Sequence, residues 1–564
     1  MTTFNDYAYT RPDLQAAKAQ FDSLYRRFDE AANVDEQIEI INQINDLRNK
    51  IDSMFNLAYI RASIDTKDAF YEAERDFFDN HNGELVYFES LYYNALNRSQ
   101  FKDALIKVYG EQLFDLAELY VKQFDTSIKD LLNQENKIAS EYSKLVASAE
   151  VEYKGSTYTF AQMGKFLEST DREERIAATH AVQNYRASLM AQYDDIYDRL
   201  VKVRHEIATQ LGFNNFIELG YVRMRRVDYS PEMVKNYRDQ IAEYVVPVAQ
   251  KLYAAQAERI GVNHLKIYDE SVLFTSGNEQ PFDDAQTILE KGRQMYRELS
   301  PETDAFYSFM MEHALFDVEA KKGKEAGGYC TFIDDYASPF IFSNFNGTDG
   351  DIRVLTHEAG HAFQVFCSRD QKVPDYLWPT HESCEIHSMS MEFFTYQWMD
   401  LFFKNADKFK YKHIVDAIQF LPYGVAVDEF QHIVYGNPKL TPKERREAWQ
   451  SLEKKYLPHT DYDGIHPLID GALWHKQGHI FESPFYYIDY TLAQVCAFQF
   501  FKRSTEDFEA AWKDYLHICH LGGALPFNAI VKAANLYSPF EPGTLKEVMH
   551  FLENYLDQID TSAF

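Results

Sequence analysis

The 564-residue sequence lacks the features of a disulfide-rich or membrane-spanning protein. Its five cysteines are odd in number and widely spaced, and no Cys-x-x-Cys pair occurs. This usage predicts reduced thiols, argues against a cysteine-based zinc site and favours the cytoplasm. No stretch approaches the length of apolar sequence that a transmembrane helix needs, and the N-terminus has no basic region followed by an apolar run. We therefore expect a cytoplasmic protein with no membrane partner.

Basic residues are outnumbered by acidic ones. The sequence has 57 lysines and arginines against 87 aspartates and glutamates, which gives a formal net charge of −30. Nucleic acids and anionic membranes both bind to basic surface patches. The charge balance therefore argues against either as a partner. The rest of the composition, 46% apolar and 26% charged, is that of a globular protein.

Proline is nearly absent from the first 230 residues. Only Pro12 occurs there, and the other sixteen prolines lie from Pro231 onward. Because proline inside a helix costs about 3 kcal/mol, this gap predicts a long series of helices. The apolar residues of the first sixty positions follow the three-and-four spacing of a buried helix face; they include Phe21, Leu24, Phe28, Ile40, Ile44, Leu47, Ile51 and Met54.

One short alternating segment interrupts this helical half. Residues 151–160 alternate around Lys154-Gly155 and predict a hairpin, and the capping residues at 169–174 predict that a helix starts again. We place a lobe boundary here. Residues 1–175 are predicted to form an N-terminal helical lobe, and residues 176–564 a second region.

The most informative motif is Thr-His-Glu-Ala-Gly-His at residues 356–361. On a helix, positions i and i+4 lie on one face, so the imidazoles of His357 and His361 can bind a single ion. Glu358 lies between them and can polarise a water molecule on that ion. Neutral imidazole suits Zn²⁺, and a catalytic zinc has three protein ligands and one open position. The motif therefore indicates a metallopeptidase with one zinc per chain. The alternative, a surface helix with two solvated histidines, fits poorly because the flanking residues are apolar.

The segments on either side of the motif supply further candidates. Residues 327–345 predict two strands joined by a turn, and an extended peptide can add itself to a free sheet edge. On the C-terminal side, the third zinc ligand is expected to be a glutamate from another helix. Glu385 and Glu392 are two helical turns apart, so one could bind zinc while the other accepts a proton from a ligand imidazole. Spacing alone leaves Glu382 and Glu385 as equal candidates for the ligand.

A second cluster lies far downstream, from Trp474 to Tyr490. Peptide hydrolysis forms a tetrahedral oxyanion, which phenol and imidazole donors stabilise. His479, Tyr486, Tyr487 and Tyr490 are the candidate donors. The alternative is simple packing, since the chain has 39 tyrosines.

Five ordered motifs resemble those of the thimet oligopeptidase and neurolysin family, and within it the bacterial oligoendopeptidase F branch, which includes the Pz-peptidases. They span residues 327–490 and read Gly327-Gly-Tyr-Cys, Ser343-Asn-Phe-Asn-Gly, Leu355-Thr-His-Glu-Ala-Gly-His-Ala, Glu385-Ile-His-Ser-Met-Ser-Met-Glu and His479-Ile-Phe-Glu-Ser-Pro-Phe-Tyr-Tyr-Ile. The chain length and the helical N-terminal half also match this family.

The resemblance implies a role for each candidate residue. Glu385 matches the third zinc ligand, Glu392 its supporting carboxylate, and His479 the histidine that contacts the substrate or intermediate. The interval after His479 is one residue shorter than in the animal enzymes, so the oxyanion donor falls among the three tyrosines, with Tyr487 and Tyr490 favoured. An extended substrate is expected along the strands at 327–345, where Gly328 and Tyr329 are the candidate contacts.

The resemblance also implies the architecture and the activity. The fold is expected to be mainly α, with two helical lobes flanking a deep substrate channel and a small β-sheet next to the zinc-binding helix. The catalytic region, residues 176–564, is expected to contribute to both walls of the channel. The implied activity is endopeptidase cleavage of short, unstructured oligopeptides. The alternatives are an exopeptidase that removes C-terminal dipeptides and, in a different class, a helical peptide-binding protein with a vestigial zinc site.

Overall fold

Helices account for 71% of the residues, and they include the long series that the near absence of proline from the first 230 residues predicts. A computed structural model describes residues 2–321, 323–325 and 327–564. The helices of the first half are α1 (Leu14–Glu30), α2 (Val34–Ile64), α3 (Ala69–Arg98), α4 (Lys102–Tyr109), α5 (Gln112–Gln123), α6 (Lys129–Ala147), α7 (Phe160–Leu167), α8 (Arg172–Gln210), α9 (Phe216–Arg223), α10 (Pro231–Gln240) and α11 (Val246–Ile260).

The second half is also helical, but shorter helices and strands break it up. Its helices are α12 (Ala285–Leu299), α13 (Pro301–Glu312), α14 (Gly350–Ser368), α15 (His381–Phe394), α16 (Ala406–Gly436), α17 (Pro442–Tyr456), α18 (Gly478–Glu482), α19 (Tyr487–Glu506), α20 (Phe508–Leu521), α21 (Phe527–Ala533) and α22 (Thr544–Asp557). The predicted mainly α fold with a small sheet is confirmed.

Helices α1 to α5 share an apolar core of their own. It is built from the residues whose spacing predicted buried helix faces, such as Phe21, Phe28 and Ile44, and it is closed by Val373 and Tyr376 from the second half of the chain. A larger core joins most of the remaining helices, and α7 packs with β1 and α8 in a small cluster of its own. The boundary that we place between residues 175 and 176 stays a prediction.

The predicted hairpin between α6 and α7 is present. Strands β1 (Val151–Tyr153) and β2 (Ser156–Tyr158) pair antiparallel. Lys154 and Gly155 form the turn with positive φ angles of 50° and 76°, the left-handed backbone that a two-residue hairpin requires. Helix α8 then starts at Arg172, with the side chain of Asp171 accepting a hydrogen bond from the Glu173 amide.

A three-stranded sheet lies directly before the motif helix in the chain. Strands β3 (Phe316–Glu319), β4 (Tyr329–Ile333) and β5 (Ser338–Phe345) are arranged in the order β3-β5-β4, with β4 antiparallel to β5. The two strands predicted between 327 and 345 are therefore confirmed, and β4 forms one edge of the sheet. Asp351 fixes the link from β5 to α14, because its carboxylate accepts hydrogen bonds from the amides of Asn346 and Gly347.

A cavity of about 390 Å³ lies among helices of the first half of the chain and the end of α18. It is lined by residues of α3, α5, α6, α8 and α9 and by residues 482–484 at the end of α18. Buried ion pairs hold these walls together, since Glu135 of α6 binds Arg204 at 2.7 Å and Arg223 at 3.0 Å. In the part of the chain that the structure describes, no helix is both long and apolar enough to span a bilayer.

Candidate active site

The side chains of His357, His361 and Glu385 converge on one point. Glu385 Oε2 lies 3.3 Å from His357 Nε2 and 3.5 Å from His361 Nε2, and the three ligand atoms all lie within 4.8 Å of one another. Two ligands on a tetrahedral zinc lie roughly 3.3–3.5 Å apart, given metal–ligand bonds of about 2.0–2.1 Å. The geometry and the donor set, two imidazoles and one carboxylate, therefore fit Zn²⁺.

The close packing of α14 on α15 brings these groups together. His357 and His361 lie on α14, and Glu385 lies on α15. The backbones approach most closely at Gly360, where a Cβ atom would lie 2.7 Å from the carbonyl oxygen of His387 and 2.7 Å from the Cα of Ser388. The lack of a side chain at position 360 therefore allows α15 to reach the histidines.

Carboxylates and hydroxyls fix the orientation of the candidate ligands. His357 Nδ1 donates to Glu392 Oε1 at 2.8 Å, which leaves its Nε2 lone pair directed at the metal position. Ser388 donates to Glu385 Oε2 at 2.9 Å. On its other side, Glu392 accepts a hydrogen bond from His413 Nε2 at 2.7 Å. Glu392 therefore lies where the sequence placed a supporting carboxylate.

The pKa shifts indicate a site that favours positive charge. Burial alone would lower the pKa of His357, but hydrogen bonds to Glu385 and Glu392 raise it well above the usual value for histidine. Burial would raise the pKa of Glu385, but the two histidines lower it far below its normal range. Buried carboxylates and imidazoles therefore share a cation here, which a proton or a metal ion can supply.

Glu358 is buried between the metal group and the edge of the sheet. Only 8% of its surface is exposed, and burial raises the pKa of its carboxyl group. Gly328, which directly precedes β4, lies beside it, since a Cβ atom at position 328 would be 3.7 Å from Glu358 Oε1. A raised pKa suits a carboxylate that must take up and release a proton near neutral pH.

Glu382, the alternative to Glu385, does not lie with the two histidines. Its carboxyl group is buried near Asp489, and burial followed by the charge of Asp489 raises its pKa. Asp489 Oδ1 accepts a hydrogen bond from Arg226 Nη2 at 2.9 Å. Two buried acids thus lie near one guanidinium group, away from the metal group. Of the two glutamates that spacing left open, Glu385 is the one that lies with the two histidines.

His479 is oriented by a short hydrogen-bonded chain. Tyr423 donates to Gln477 Oε1 at 3.0 Å, so the amide nitrogen of Gln477 points the other way and donates to His479 Nδ1 at 2.8 Å. Nδ1 is therefore the acceptor, and the ring proton lies on Nε2. Burial lowers the pKa of His479, which favours the neutral ring. The result is a neutral imidazole with one free N–H donor.

The three candidate tyrosines surround His479. The ring centroids of Tyr486, Tyr487 and Tyr490 lie 5.6, 5.0 and 5.7 Å from that of His479. Tyr486 is the one that contacts the metal group, because its hydroxyl donates to Glu385 Oε1 at 2.9 Å. Burial raises the pKa of all three phenols, so each remains an O–H donor at neutral pH.

The two candidate substrate contacts, Gly328 and Tyr329, lie at the beginning of the β4 edge, but their surroundings differ. Gly328 lies beside Glu358, as described above. The Tyr329 side chain packs elsewhere, stacked on Phe342 with ring centroids 4.8 Å apart and within 5.4 Å of the Tyr59 ring. The backbone of Tyr329 therefore lies near the site, whereas its side chain packs against the apolar core.

Several residues that support the site were not singled out from the sequence. They include His413 beside Glu392, Gln477 and Tyr423 behind His479, and His381, whose ring centroid lies 4.9 Å from that of Tyr486. Gln477 has a signal in the sequence, since it lies two residues before the candidate His479. His413 and Tyr423 come from α16, and no local spacing links that helix to the motif.

Two family models match the chain. Residues 4–124 match the peptidase M3 N-terminal domain, and residues 165–549 match peptidase family M3. Among curated proteins, the chromosomal oligoendopeptidase F of Lactococcus lactis subsp. cremoris is 22% identical over an alignment of 364 residues, and the match covers 59% of this chain and 58% of that protein.

Solved structures match over the whole length. Pz peptidase A, solved with an inhibitor, is 52% identical with a TM-score of 0.95, and the match covers 99% of both chains. A protein assigned as oligoendopeptidase F is 51% identical with a TM-score of 0.96, and one from Bacillus anthracis str. Ames is 49% identical with a TM-score of 0.91; each match covers 100% of both chains. The predicted family, and with it the class of metallopeptidase, is confirmed: the chain belongs to peptidase family M3.

Proposed function

We propose that this protein is a zinc-dependent endopeptidase that hydrolyses internal bonds of short, unstructured oligopeptides. The observation that carries the proposal is the convergence of His357, His361 and Glu385 beside the buried carboxylate of Glu358. A catalytic zinc site needs three protein ligands and a nearby general base, and this set provides them. Three ligands leave the fourth position of the metal for water and substrate. The family match, to proteins described as oligopeptidases, supports the same reading.

The three ligands would hold one Zn²⁺ per chain. Bound there, the ion would act as a Lewis acid on the scissile carbonyl and lower the pKa of water to about 7. Glu392 keeps His357 in the tautomer whose Nε2 faces the metal position. Ser388 and Tyr486 hold the two oxygens of Glu385. These contacts position the ligands before the metal binds.

Glu358 is the proposed general base and acid. Its carboxylate takes a proton from the attacking water and passes that proton to the amine of the leaving peptide. Burial favours this exchange because it raises the pKa of Glu358 toward that of the groups with which it trades the proton. The neighbouring glycine at position 328 leaves room for substrate next to this carboxylate.

The developing oxyanion requires donors, and the cluster around His479 supplies them. His479 Nε2–H is available because Nδ1 already accepts a hydrogen bond from Gln477. Tyr487 and Tyr490 have no bond to a candidate zinc ligand, whereas the hydroxyl of Tyr486 is engaged with Glu385. We therefore assign Tyr490 and Tyr487 to the oxyanion, and Tyr486 to the orientation of Glu385.

The substrate is proposed to lie extended along β4. In an antiparallel pair, alternate residues direct their backbone groups toward and away from the partner strand. The backbone carbonyl of Phe332 faces away from β5, since it accepts a hydrogen bond from Asn56 Nδ2 at 3.0 Å. Gly328 and Cys330 share that orientation, so their N–H and C=O groups can pair with a peptide that adds to this edge. Such a peptide would pass directly beside Glu358.

A length series of peptides tests this proposal. The purified protein is incubated with internally quenched peptides of about 5 to 30 residues, and the cuts are mapped by mass spectrometry. Internal cuts in the short peptides only, lost with a chelator and restored by zinc, are expected. Stepwise release of C-terminal dipeptides would instead indicate an exopeptidase. Zinc binding without any cleavage would indicate a peptide-binding protein.

A further inference from the structure

The residue directly before the three candidate tyrosines has a backbone conformation that bulky side chains avoid. Phe485 has a φ angle of 69°, in the left-handed region that glycine adopts readily and aromatic residues rarely do. It lies between α18 and α19, one residue before Tyr486. Such conformations persist where the surrounding structure holds them, and they are concentrated at functional sites. The contacts that hold Phe485 are therefore candidates for a role in function.

Side chains from two distant segments hold both backbone groups of Phe485. Its amide donates to Gln431 Oε1 at 2.8 Å, and its carbonyl accepts a hydrogen bond from Arg226 Nη2. The same Arg226 nitrogen donates to Asp489 Oδ1 at 2.9 Å. Arg226 therefore binds the chain on both sides of residues 486–488, and Gln431 fixes the residue that precedes them.

Gln431 is itself held in one orientation. It lies on α16 and is only 1% exposed, and its Nε2 donates to the Val427 carbonyl at 3.1 Å. Because the nitrogen is engaged there, Oε1 is the atom that faces the Phe485 amide. Among the described residues, its side chain forms no hydrogen bond with a candidate zinc ligand or with the three tyrosines. Any influence of Gln431 on the reaction therefore acts through Phe485.

The Phe485 ring is fixed as well. It is fully buried and lies against Gly220 of α9, where a Cβ atom would overlap the ring. The rings of His432 and Tyr435 pack around it, with centroids at 5.0 and 5.6 Å. Because the ring and both backbone groups are held, φ at Phe485 cannot relax unless one of these contacts breaks.

The left-handed residue turns the chain between His479 and the tyrosines. Only residues 483–486 separate α18, which contains His479, from α19. This turn brings the rings of the three tyrosines to within 5.7 Å of the His479 ring. A rotation at Phe485 would move the first turn of α19, and with it the tyrosine hydroxyls, relative to the metal group. Donors to an oxyanion act only when they are aimed closely at the position where the charge develops.

We propose that Gln431 is a positioning residue for peptide hydrolysis. By holding the amide of Phe485, it maintains the left-handed turn that places the hydroxyls of Tyr487 and Tyr490 at the developing oxyanion. The proposal rests on the peptidase function proposed above, and it adds a determinant of rate that touches neither the metal group nor the substrate. Since the oxyanion exists only after attack, the effect should fall on kcat rather than on KM.

The variant Gln431→Met keeps the length of the side chain and removes the acceptor. With zinc buffered well above its Kd, kcat is expected to fall by at least about 10-fold, a part of what one oxyanion donor contributes, while KM changes by less than about twofold. Gln256→Met is the matched control, because Gln256 is also 1% exposed and its amide holds backbone carbonyls of the loop at residues 269–272. This control should lower the Tm and leave kcat unchanged. An unchanged kcat in Gln431→Met would overturn the proposal.

A double-mutant cycle tests whether the effect acts through the tyrosines. In a protein that carries Tyr487→Phe and Tyr490→Phe, the hydroxyls that Gln431 is proposed to position are absent. Adding Gln431→Met to that protein should therefore lower kcat by less than about twofold. A loss that is merely structural would lower kcat by the same factor in both backgrounds, and that result would overturn the proposal.

Two conservative variants refine the assignment. Gln431→Glu keeps an oxygen acceptor at the same reach, so it should restore kcat to within about threefold of wild type. Gln431→Asn keeps the amide but is one methylene shorter, so it should show the loss that is expected of Gln431→Met, and it replaces that variant if the methionine prevents folding. A Gln431→Glu protein as slow as Gln431→Asn would contradict the role of the acceptor.

Amide hydrogen exchange separates this proposal from the peptidase function. In Gln431→Met the Phe485 amide loses its acceptor, so exchange within residues 483–490 should be faster than in wild type, with α14 and α15 unchanged. If the wild-type protein cleaves nothing, the proposed function fails, but this local increase still supports the positioning of the segment. If cleavage occurs and neither exchange nor kcat changes in the variant, the function stands and the positioning role fails.

Discussion

Gly360 of α14 lies against Ser388 of α15 so closely that a Cβ atom at position 360 would be 2.7 Å from the Ser388 Cα atom. Heavy atoms of real side chains do not approach this closely, and the obstruction is backbone rather than a flexible side chain. This contact allows Glu385 to reach the two histidines of the preceding helix. The geometry of the candidate metal site therefore depends on the absence of one methyl group.

Substituting Gly360 by alanine should destabilise the protein and weaken metal binding together. Inside a helix, alanine is normally favoured over glycine by about 0.5–1 kcal/mol. Here the added methyl group must push α14 and α15 apart, so the sign is reversed and a loss of roughly 1–3 kcal/mol is expected. Gly164→Ala is the control, since that helical position has open space around it. It should be neutral or stabilising in thermal unfolding. Equal effects of the two substitutions would contradict the packing argument.

Replacing Glu392 by glutamine should weaken zinc binding while the fold is kept. The carboxylate accepts hydrogen bonds from both His357 and His413, and an amide has only one oxygen to accept them. Loss of such a supporting partner typically costs about 10–100-fold in metal affinity. Competition with a chromogenic chelator measures this affinity. Glu382→Gln, on the same helix but away from the metal group, should retain the wild-type value.

The tyrosines should divide into two classes. Tyr490→Phe is expected to lower kcat by about 10²–10³, the usual effect of one oxyanion donor, with little change in zinc affinity. Tyr486→Phe should lower zinc affinity as well, because its hydroxyl bonds to Glu385 Oε1. Steady-state kinetics and metal titration on the same preparations distinguish the two. An unchanged rate in Tyr490→Phe would remove that residue from the mechanism.

The buried acid Glu382 should make stability fall as the pH rises. Burial and the nearby Asp489 raise its pKa above the usual value of 4.5. The folded protein therefore holds a proton that the unfolded chain has already released, and this contribution is complete at low pH and lost as the pH rises through the folded pKa. Glu382→Gln should raise the Tm relative to wild type more at pH 8 than at pH 5. The surface variant Glu447→Gln should show the same difference at both values, and identical behaviour of the two variants would contradict the assignment.

The sequence predicts those parts of the structure that depend on local spacing. The helices of the first half, the hairpin around Lys154 and the pairing of His357 with His361 all follow from periodicity over a few residues. For the third ligand, helical spacing fits Glu382 and Glu385 equally well, and only the family resemblance favours Glu385. That choice depends on the approach of α15 at Gly360, which is a tertiary contact.

Other features were beyond sequence reasoning for the same reason. His413 reaches Glu392 from α16, and Tyr423, on the same helix, donates to Gln477 behind His479. Nothing near these residues in sequence marks them, since each is an ordinary charged or polar residue on a helix or loop. Their roles depend on which neighbours the fold brings to them.

Zinc content and turnover, measured together on wild type and Glu358→Gln, test the central claim most directly. The proposed ligands are His357, His361 and Glu385, and Glu358 is proposed to act only on protons. We therefore expect one zinc per chain in both proteins, with peptide turnover lower by at least about 10³-fold in the variant. Loss of zinc together with activity would make Glu358 part of the metal site, and unchanged turnover would contradict its role as the base.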